Sequence, residues 1–298
     1  MCWGVQCLEN FKQNRWRKNP ARSYQQVTEF EIQNTRENVG EAMKRCLVLG
    51  YGVFAYLVFF GVFLYAIGFI GNLLVPISVD SEPTTSLSFA LFVNLGLLTV
   101  FAVQHSLMAR PFFKRWLTRY VPEAAERSTY VMASNIAMIL MFAFWQPMGV
   151  KIWSFSHPAL LAITYTLFFA GWALVFVSTC LINHFDLFGL RQTWIYFCGK
   201  PYQPLKFKMP WLYKHVRHPL YVGWITVFWA TPTMTVGHLF FAVATTAYIL
   251  IAIQLEERDL EQVHGVSYVS YKNEVPMLVP RLSKRTPTDS GIHPGEIS

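Results

Sequence analysis

One stretch in the last third of the chain limits the possible folds more than any other. It begins with the basic pair Arg217 and His218, continues through about thirty mostly apolar residues that Pro232 interrupts, and ends with Glu256 and Glu257. A single helix needs about 20 residues to cross the hydrocarbon of a bilayer. The stretch is much longer than one such helix and too short for two full spans, which indicates a membrane segment that turns back.

The proline indicates where this turn lies, because proline cannot continue a helix through its interior. We predict a short helix from about Pro219, a turn near Pro232 and a longer helix over about 236–260. Such a hairpin returns its acidic end to the membrane face on which its basic end lies.

The composition of the whole chain agrees with a membrane protein. Hydrophobic residues make up 53% of the 298 residues, charged residues make up 14%, and the mean hydropathy is +0.31. These values are typical of a helical protein with several spans. The net charge of +8 comes from Lys and Arg in the loops between apolar runs. Cytoplasmic orientation accounts for those residues, so membrane lipids are the expected partners and nucleic acid is not.

The five cysteines give no sign of a metal site. They form no Cys-x-x-Cys pair and have no neighbouring histidine at ligand spacing. The sequence therefore predicts neither a disulfide framework nor a bound metal.

Four further apolar runs are long enough to cross a bilayer, at about residues 46–75, 87–108, 130–150 and 158–182. The predicted fold is an all-α integral membrane protein with four full transmembrane helices and a C-terminal helical hairpin broken at Pro232. The loop after the first run is acidic, whereas the loops after the second and fourth runs are rich in Lys and Arg. The basic loops and both termini are then cytoplasmic, and a bacterial inner membrane is the expected location.

We expect one membrane domain, residues 44–280, between two polar segments. Residues 1–43 are predicted to form a disordered cytoplasmic extension and residues 281–298 a disordered tail, because both lack apolar surface for a packed core. Met43 directly precedes a basic pair and the first apolar run. Translation from Met43 is therefore a second possibility beside translation from Met1.

Polar residues near the membrane gather at the helix ends that are predicted to face the cytoplasm. Such residues are costly in a bilayer and usually functional, so we expect them to surround one pocket that opens to the cytoplasm. They are Gln104, His105, Ser134, Asn135, Asn183, His184, Asp186, Arg217, His218, Glu256 and Glu257.

The two ends of the hairpin suit a ligand that carries charges of both signs. Pro219 is typical of the first position of a helix, whose unpaired backbone N–H groups favour an anion together with Arg217. Glu256 and Glu257 favour a cation, and an aromatic ring such as Tyr221 suits a sulfonium. S-adenosylmethionine combines a carboxylate, an ammonium and a sulfonium. In the structural alternative, these residues are membrane-edge anchors and a helix end.

The same residues resemble the motifs of the isoprenylcysteine carboxyl methyltransferase and phospholipid methyltransferase superfamily of membrane enzymes. The resemblance rests on Arg-His-Pro-x-Tyr-x-Gly, the Glu-Glu pair and a following Gly-x-x-Tyr-x-x-Tyr at residues 265–271. It implies a methyltransferase that depends on S-adenosylmethionine. It also implies that this cofactor lies among Arg217, His218, Pro219, Tyr221, Gly223, Glu256 and Glu257.

The upstream half resembles the branch of this superfamily that methylates small thiols. The matching segments are residues 104–110, which begin Gln-His-Ser, residues 126–130, and residues 183–190, which begin Asn-His-Phe-Asp. Together with the C-terminal half, the resemblance covers about residues 44–280. It implies methanethiol as the acceptor, dimethyl sulfide as the product and direct methyl transfer, which requires no metal.

A thiol acceptor raises the question of a base. The attacking species is the thiolate, and a simple alkanethiol is mostly protonated at neutral pH. The candidate catalytic residues are His184 with Asp186, which border one face and are able to orient each other, and His105. Because His218 belongs to the cofactor motif, we place His184 and Asp186 ahead of His105. In the structural alternative, each histidine bonds between helices or caps a helix.

Two other functions stay open on the sequence alone. One is a membrane methyltransferase for a lipid amine or a prenylcysteine carboxylate, whose large acceptor needs a lateral opening between helices. The other is a non-enzymatic membrane protein on the same scaffold, such as a transporter. Transport favours polar residues at the midplane and in the outer leaflet, where this sequence places almost none. The sequence predicts no particular oligomeric state.

Overall fold

The computed structural model describes residues 20–205 and 211–280, and within them the protein is almost entirely helical. Five helices of the described chain are long and apolar enough to cross a membrane. These are α1 (Pro20–Gly71), α2 (Leu87–Met108), α4 (Glu123–Phe144), α5 (Pro158–Ile182) and α9 (Val236–His264). The shorter helices are α3 (Pro111–Leu117), α6 (His184–Leu187), α7 (Leu190–Phe197), α8 (Pro219–Trp229) and α10 (Val266–Glu274). The predicted all-α membrane fold is confirmed.

The C-terminal hairpin consists of α8 and α9. Helix α8 ends at Trp229, three residues before Pro232, and α9 begins at Val236. The side chain of Thr235 caps α9 by accepting a hydrogen bond from the backbone N–H of His238 at 3.1 Å. The predicted helical hairpin broken at Pro232 is confirmed.

The first helix is longer than the sequence indicated. Helix α1 begins at Pro20 rather than near residue 46, and its side chains from residue 29 to residue 44 are exposed. Adding a turn to an existing helix is far easier than nucleating one, and residues 29–44 contain no proline that would stop the helix. The expected disorder is therefore corrected to helix for residues 20–43. Residues 1–19 and the predicted tail at 281–298 lie outside the described residues.

The third span also differs from its predicted bounds of 130–150. Helix α4 begins seven residues earlier, at Glu123, and ends at Phe144. Trp145 already has extended backbone angles, and Gln146 precedes Pro147, which disfavours the helical conformation at the residue before it.

A small antiparallel sheet follows, which the sequence did not predict. Strand β1 (Lys151–Ser154) pairs with β2 (Thr233–Thr235) from the turn of the hairpin. Each strand has only three or four residues, and its partner lies far away in sequence. A local pattern cannot reveal such a pairing, because the helical bundle brings the two segments together.

Three loops, residues 72–86, 145–157 and 230–235, meet at one end of the bundle, which we call the Asp80 end. The buried carboxylate of Asp80 accepts hydrogen bonds from the backbone N–H and the hydroxyl of Thr235, at 3.1 and 2.6 Å. Its other oxygen accepts a bond from Asn72 at 2.7 Å. These bonds attach the hairpin turn to the first interhelical loop.

His238 completes this network and is fully buried. Its Nδ1 lies 2.7 Å from Asp80 and its Nε2 lies 3.0 Å from the carbonyl oxygen of Phe228. A carboxylate and a carbonyl are both acceptors, so each ring nitrogen of His238 faces an acceptor. The Asp80 end therefore holds a buried Asp80–His238 pair whose polar atoms are bonded within the protein.

Close packing between α5 and α8 sets the position of the hairpin. A Cβ atom on Gly171 would lie 2.9 Å from the side chain of Val227. A Cβ atom on Gly223 would lie 2.8 Å from the side chain of Val175 and 2.9 Å from the carbonyl oxygen of Gly171. Glycines at both positions let the two backbones approach closely, as is common between membrane helices.

Candidate active site

Opposite the Asp80 end, the start of α8, the end of α9 and helix α10 meet at what we call the basic end. Glu257 of α9 is 1% exposed there, and one of its carboxylate oxygens accepts two hydrogen bonds. Arg217 donates from Nε at 2.8 Å, and His218 donates from Nε2 at 3.0 Å. The structure thus brings together the basic and acidic ends of the hairpin stretch.

The other oxygen of Glu257 binds Lys272 of α10 at 3.0 Å, and the same ammonium binds Glu261 at 2.8 Å. The bonds to Glu261 and Glu257 raise the pKa of Lys272 above its usual value. A buried carboxylate with this many cationic donors is compensated for its loss of hydration. Lys272 is a member of the cluster that the sequence analysis did not identify.

The chain after α10 lies directly along the start of α8. The backbone N–H of Arg217 donates to the carbonyl of Pro276 at 2.9 Å, and that of His218 donates to the carbonyl of Met277 at 3.2 Å. Nη1 of Arg217 donates to the carbonyls of Lys272 and Val275. The segment 272–277 therefore holds the Arg-His pair from one side, and Nη2 of Arg217 makes none of these bonds.

The two neighbouring glutamates have different surroundings. Glu256 is exposed, and one of its oxygens accepts a hydrogen bond from the hydroxyl of Tyr221 at 3.0 Å. Glu257 is buried and already bonds three side chains. Glu257 is thus placed to hold the cluster together, whereas Glu256 and Tyr221 lie at its accessible edge.

Two residues of the predicted cofactor set have helix-building positions. Pro219 is the first residue of α8, where its fixed backbone angle suits a helix start. Gly223 lies one turn further on, in the contact with α5, and is buried. Gly223 thus packs against α5, and its assignment to the cofactor stays a prediction.

His105 of α2 lies in a polar cluster with two residues of α4. Its Nδ1 is 3.2 Å from the hydroxyl of Ser134, and its Nε2 is 2.8 Å from the hydroxyl of Tyr130. The Ser134 hydroxyl gives its own proton to the carbonyl of Tyr130 at 3.1 Å. It is therefore the acceptor for Nδ1–H of His105, which leaves Nε2 as a lone pair that accepts from Tyr130.

His184 lies in a similar cluster between α1 and α5. Its Nδ1 is 2.8 Å from the hydroxyl of Thr179, which itself donates to the carbonyl of Phe176, and its Nε2 is 2.9 Å from the hydroxyl of Tyr56. By the same reasoning, Nε2 carries the lone pair. Burial lowers the pKa of His184, which favours the neutral ring.

Asp186 does not orient His184. Its carboxylate binds Arg191 at 2.8 Å and the hydroxyl of Tyr202 at 3.1 Å, while both ring nitrogens of His184 face hydroxyl groups. The expected mutual orientation of the two residues is corrected. Asn183, which accepts a bond from the backbone N–H of Asp186, turns the two side chains to different partners.

The two histidine clusters differ in their relation to the hairpin. The ring of His105 stacks on Phe101, and the ring of Phe101 contacts that of Tyr248. Tyr248 is on α9, eight residues before Glu256, and bonds the hydroxyl of Ser106 at 3.0 Å. The contacts of His184 run instead to aromatic rings of α1, α5 and the segment 185–188. The structure therefore connects the His105 cluster more closely with the predicted cofactor residues.

The tyrosine partners were missed by the sequence analysis. Tyr130 stands inside one of the matched segments and Tyr56 within the first span, but tyrosine is common in both settings. Their spacing from the histidines, 25 and 128 residues, shows no local pattern. Within the described part of the chain, no group of three or more His, Cys, Asp or Glu side chains is placed to hold a metal ion.

Comparison with known proteins gives a consistent group of relatives. The chain is 55% identical to the methanethiol S-methyltransferase of Crocosphaera subtropica over 244 residues, which is 82% of this chain and 96% of the relative. It is 50% identical to the methanethiol S-methyltransferase of Mycobacterium tuberculosis over 238 residues, 80% of this chain and 98% of the relative. Nurim of Sus scrofa is 32% identical over 176 residues, 56% of this chain and 66% of Nurim.

No family model and no solved structure matches the chain. The two methanethiol S-methyltransferases nevertheless align with about four-fifths of this chain at 50% identity or above. A membrane-spanning helical fold, a charged cluster at the start of a broken hairpin and these relatives agree with one another. The chain belongs to the methanethiol S-methyltransferase family of integral membrane methyltransferases.

Proposed function

We propose that this protein transfers a methyl group from S-adenosylmethionine to methanethiol and releases dimethyl sulfide. The observation that carries the proposal is the cluster of Arg217, His218, Glu256 and Glu257 in a chain about half identical to enzymes named for this acceptor. We further propose that the basic end and both termini face the cytoplasm of a bacterial cell, since the basic loops lie at that end.

The donor groups of the basic end fit the charges of this cofactor. The guanidinium of Arg217 is held through Nε and Nη1, which leaves Nη2 as the nitrogen that we assign to a carboxylate. Exposed Glu256 suits the ammonium, and Tyr221, bonded to Glu256, suits the sulfonium through its ring face. Glu257 and His218 hold this arrangement in place, and Pro219 starts the helix that carries Tyr221.

When bound, S-adenosylmethionine supplies a methyl group on a positively charged sulfur, which a thiolate displaces directly. Thiolate and sulfonium both lose charge as they react, so a site with little water favours the transition state over the separated ions. The half-buried end of a membrane helix bundle provides such a site and admits a small apolar thiol from the lipid.

The protein also has to remove the proton of the thiol. We propose His105 and His184 as the two candidate bases, because the Nε2 lone pair of each is directed at a tyrosine hydroxyl. The sequence also suggests Asp186 as a catalytic residue beside His184. Its carboxylate instead bonds Arg191 and Tyr202 and so stabilises the loop after α5.

The test is headspace detection of dimethyl sulfide from purified protein supplied with methanethiol and methyl-labelled S-adenosylmethionine. We expect labelled dimethyl sulfide from the wild type and a loss of at least about 100-fold in His218→Ala. If a lipid amine or a prenylcysteine ester is labelled and no dimethyl sulfide forms, the acceptor is larger than methanethiol. A folded protein that binds no cofactor would favour a non-enzymatic role and contradict the proposal.

A further inference from the structure

Tyr130 bonds the candidate base His105 on the side of α2 that packs against α9. Its hydroxyl lies 2.8 Å from Nε2 of His105. His105 stacks on Phe101, whose ring lies 6.3 Å from that of Tyr248 on α9, the helix that carries Glu256 and Glu257. The side chain of Tyr130 is half-buried, as are those of His105 and Ser134, so a small molecule is able to reach the hydroxyl. A direct approach of a thiol to Nε2 of His105 is blocked, because the tyrosine hydroxyl already occupies that lone pair.

The direction of each hydrogen bond in this cluster follows from the partners. The Ser134 hydroxyl proton goes to the carbonyl of Tyr130, so Ser134 accepts from Nδ1–H of His105. Nε2 then accepts the hydroxyl proton of Tyr130. The tyrosine oxygen keeps its lone pairs for a new donor, and a thiol S–H is a donor of the required kind.

We propose that Tyr130 is a further catalytic residue, which relays the proton of the acceptor thiol to His105; this inference rests on the proposed function. The S–H bond of methanethiol breaks, and its proton goes to the oxygen of Tyr130. The original hydroxyl proton of Tyr130 moves to Nε2 of His105. The electron pair left on sulfur forms the new bond to the methyl carbon as the bond from that carbon to the sulfonium sulfur breaks.

Few other groups near the relay gain or lose a proton in the described part of the chain. The ionisable neighbours of Tyr130 there are Tyr248 of α9 and Arg127 and Glu126 of its own helix. The ring of Phe101 stacks on His105 at a centroid distance of 5.3 Å. Ser134 fixes the ring from the Nδ1 side, and Gln104 donates to Ser134 at 3.4 Å. A ring held in this way keeps Nε2 directed at the tyrosine, as a relay requires.

The chain provides a matched control at the Asp80 end. Tyr65 of α1 is also half-buried, and its hydroxyl donates to the carbonyl of Ile77 at 3.4 Å. Loss of the Tyr65 hydroxyl likewise removes one hydrogen bond from a half-buried tyrosine. It leaves the bonds of both candidate bases unchanged.

The experiment compares Tyr130→Phe and Tyr65→Phe in the full-length protein, with methanethiol turnover expressed per molecule that binds S-adenosylmethionine. We expect Tyr130→Phe to lower kcat at neutral pH by about 100-fold, a typical value for loss of a proton acceptor, with unchanged cofactor affinity. The deficit shrinks as the pH rises and methanethiol ionises by itself. Tyr65→Phe retains a rate within about threefold of the wild type at every pH.

Two results would overturn the relay while leaving the proposed function intact. One is a wild-type rate in Tyr130→Phe, and the other is a deficit that stays constant as the pH rises. If Tyr130→Phe fails to fold, His105→Asn is measured in the same assay. Asparagine keeps a donor for Ser134 but has no Nε2, so we expect the same pH-dependent deficit. A wild-type protein that forms no dimethyl sulfide would instead reject the proposed function.

Discussion

The protein buries one carboxylate near each end of its helix bundle, and the two carboxylates are satisfied in different ways. Asp80 bonds Thr235, Asn72 and His238, and the second nitrogen of His238 is bonded to a backbone carbonyl. Glu257 also bonds three side chains, but its neighbour Glu256 is exposed and bonds only Tyr221 among the described residues.

This difference separates a structural network from a candidate site. At the Asp80 end the buried Asp80–His238 pair joins the hairpin turn to the first interhelical loop. The polar groups of this pair are bonded within the protein and need no ligand. At the basic end an equally buried carboxylate holds Arg217 and His218 beside a carboxylate that remains accessible. Buried ionic groups alone are weak indicators of function. An accessible carboxylate beside a buried ion pair, as Glu256 lies beside Glu257, is a stronger indicator of a binding site.

Glu257→Gln is the change with the largest expected effect. It leaves Arg217 and Lys272 without their shared carboxylate, and breaking a buried ion pair on one side typically costs about 3–5 kcal/mol. We expect loss of methyl transfer by more than about 100-fold together with a lower melting temperature. Turnover and thermal melting in detergent measure the two effects. Wild-type values for both would contradict the assigned role of Glu257.

Asp80→Asn is expected to lower stability without lowering turnover per folded molecule. The variant removes the carboxylate that pairs with the buried ring of His238, at a cost of about 3 kcal/mol. Methyl transfer at a temperature where the variant is folded should stay within about twofold of the wild type. A turnover defect as large as that of Glu257→Gln would remove the distinction between the two ends.

The pH dependence of stability gives a second measure of the Asp80 end. Burial alone would raise the pKa of Asp80, but its bonds to His238, Asn72 and Thr235 lower the pKa below the usual 3.8. A carboxylate with a lowered pKa stabilises the fold above its unfolded-state pKa, and the contribution disappears as the pH falls through the folded-state pKa. The wild type should therefore lose more stability below about pH 4 than Asp80→Asn does.

Glu256→Gln tests the role of the exposed carboxylate at the basic end. Because Glu256 is exposed and does not hold the cluster, we expect an unchanged melting temperature and a KM for S-adenosylmethionine raised about tenfold. Glu261→Gln is the matched control, since Glu261 lies five residues further along the same helix and bonds Lys272 rather than Tyr221. Equal effects of the two variants would mean that Glu256 has no special relation to the cofactor.

Lys272→Met has the smallest expected effect. It removes one of the three cationic or imidazole partners of Glu257 from a position that is one-third exposed, so screening by water limits the loss. A KM for the cofactor raised about threefold is expected, with recovery in Lys272→Arg. Lys44→Met, which removes only an exposed contact with Glu41, serves as the control. An equal change in both variants would contradict a part for Lys272 in the site.

Much of the architecture was predictable because a bilayer sets the minimum length of a helix that crosses it. Apolar runs of sufficient length indicated the spans, and Pro232 indicated the break in the hairpin, both of which the structure contains. The predicted start of α1 and end of α4 were wrong. Polar helix beyond the membrane and a turn before Pro147 give no hydropathy signal. The strand pair depends on segments that only the folded bundle brings together.

The candidate site was predictable where residues share a motif and unpredictable where they meet across helices. The Arg-His pair and the two glutamates stand at the ends of one hairpin, so topology alone places them near each other. Lys272, Tyr130 and Tyr56 come from other helices, and no spacing in the sequence relates them to their partners. The contrast between Glu256 and Glu257 depends on the rotation of α9, which two adjacent glutamates do not reveal.

The most direct test supplies methyl-labelled S-adenosylmethionine and methanethiol to purified wild type, Glu257→Gln and Asp80→Asn, all folded and at equal concentration. We expect labelled dimethyl sulfide from the wild type and from Asp80→Asn, and almost none from Glu257→Gln. Labelled dimethyl sulfide from Glu257→Gln at the wild-type rate, or none from any of the three, would contradict this expectation.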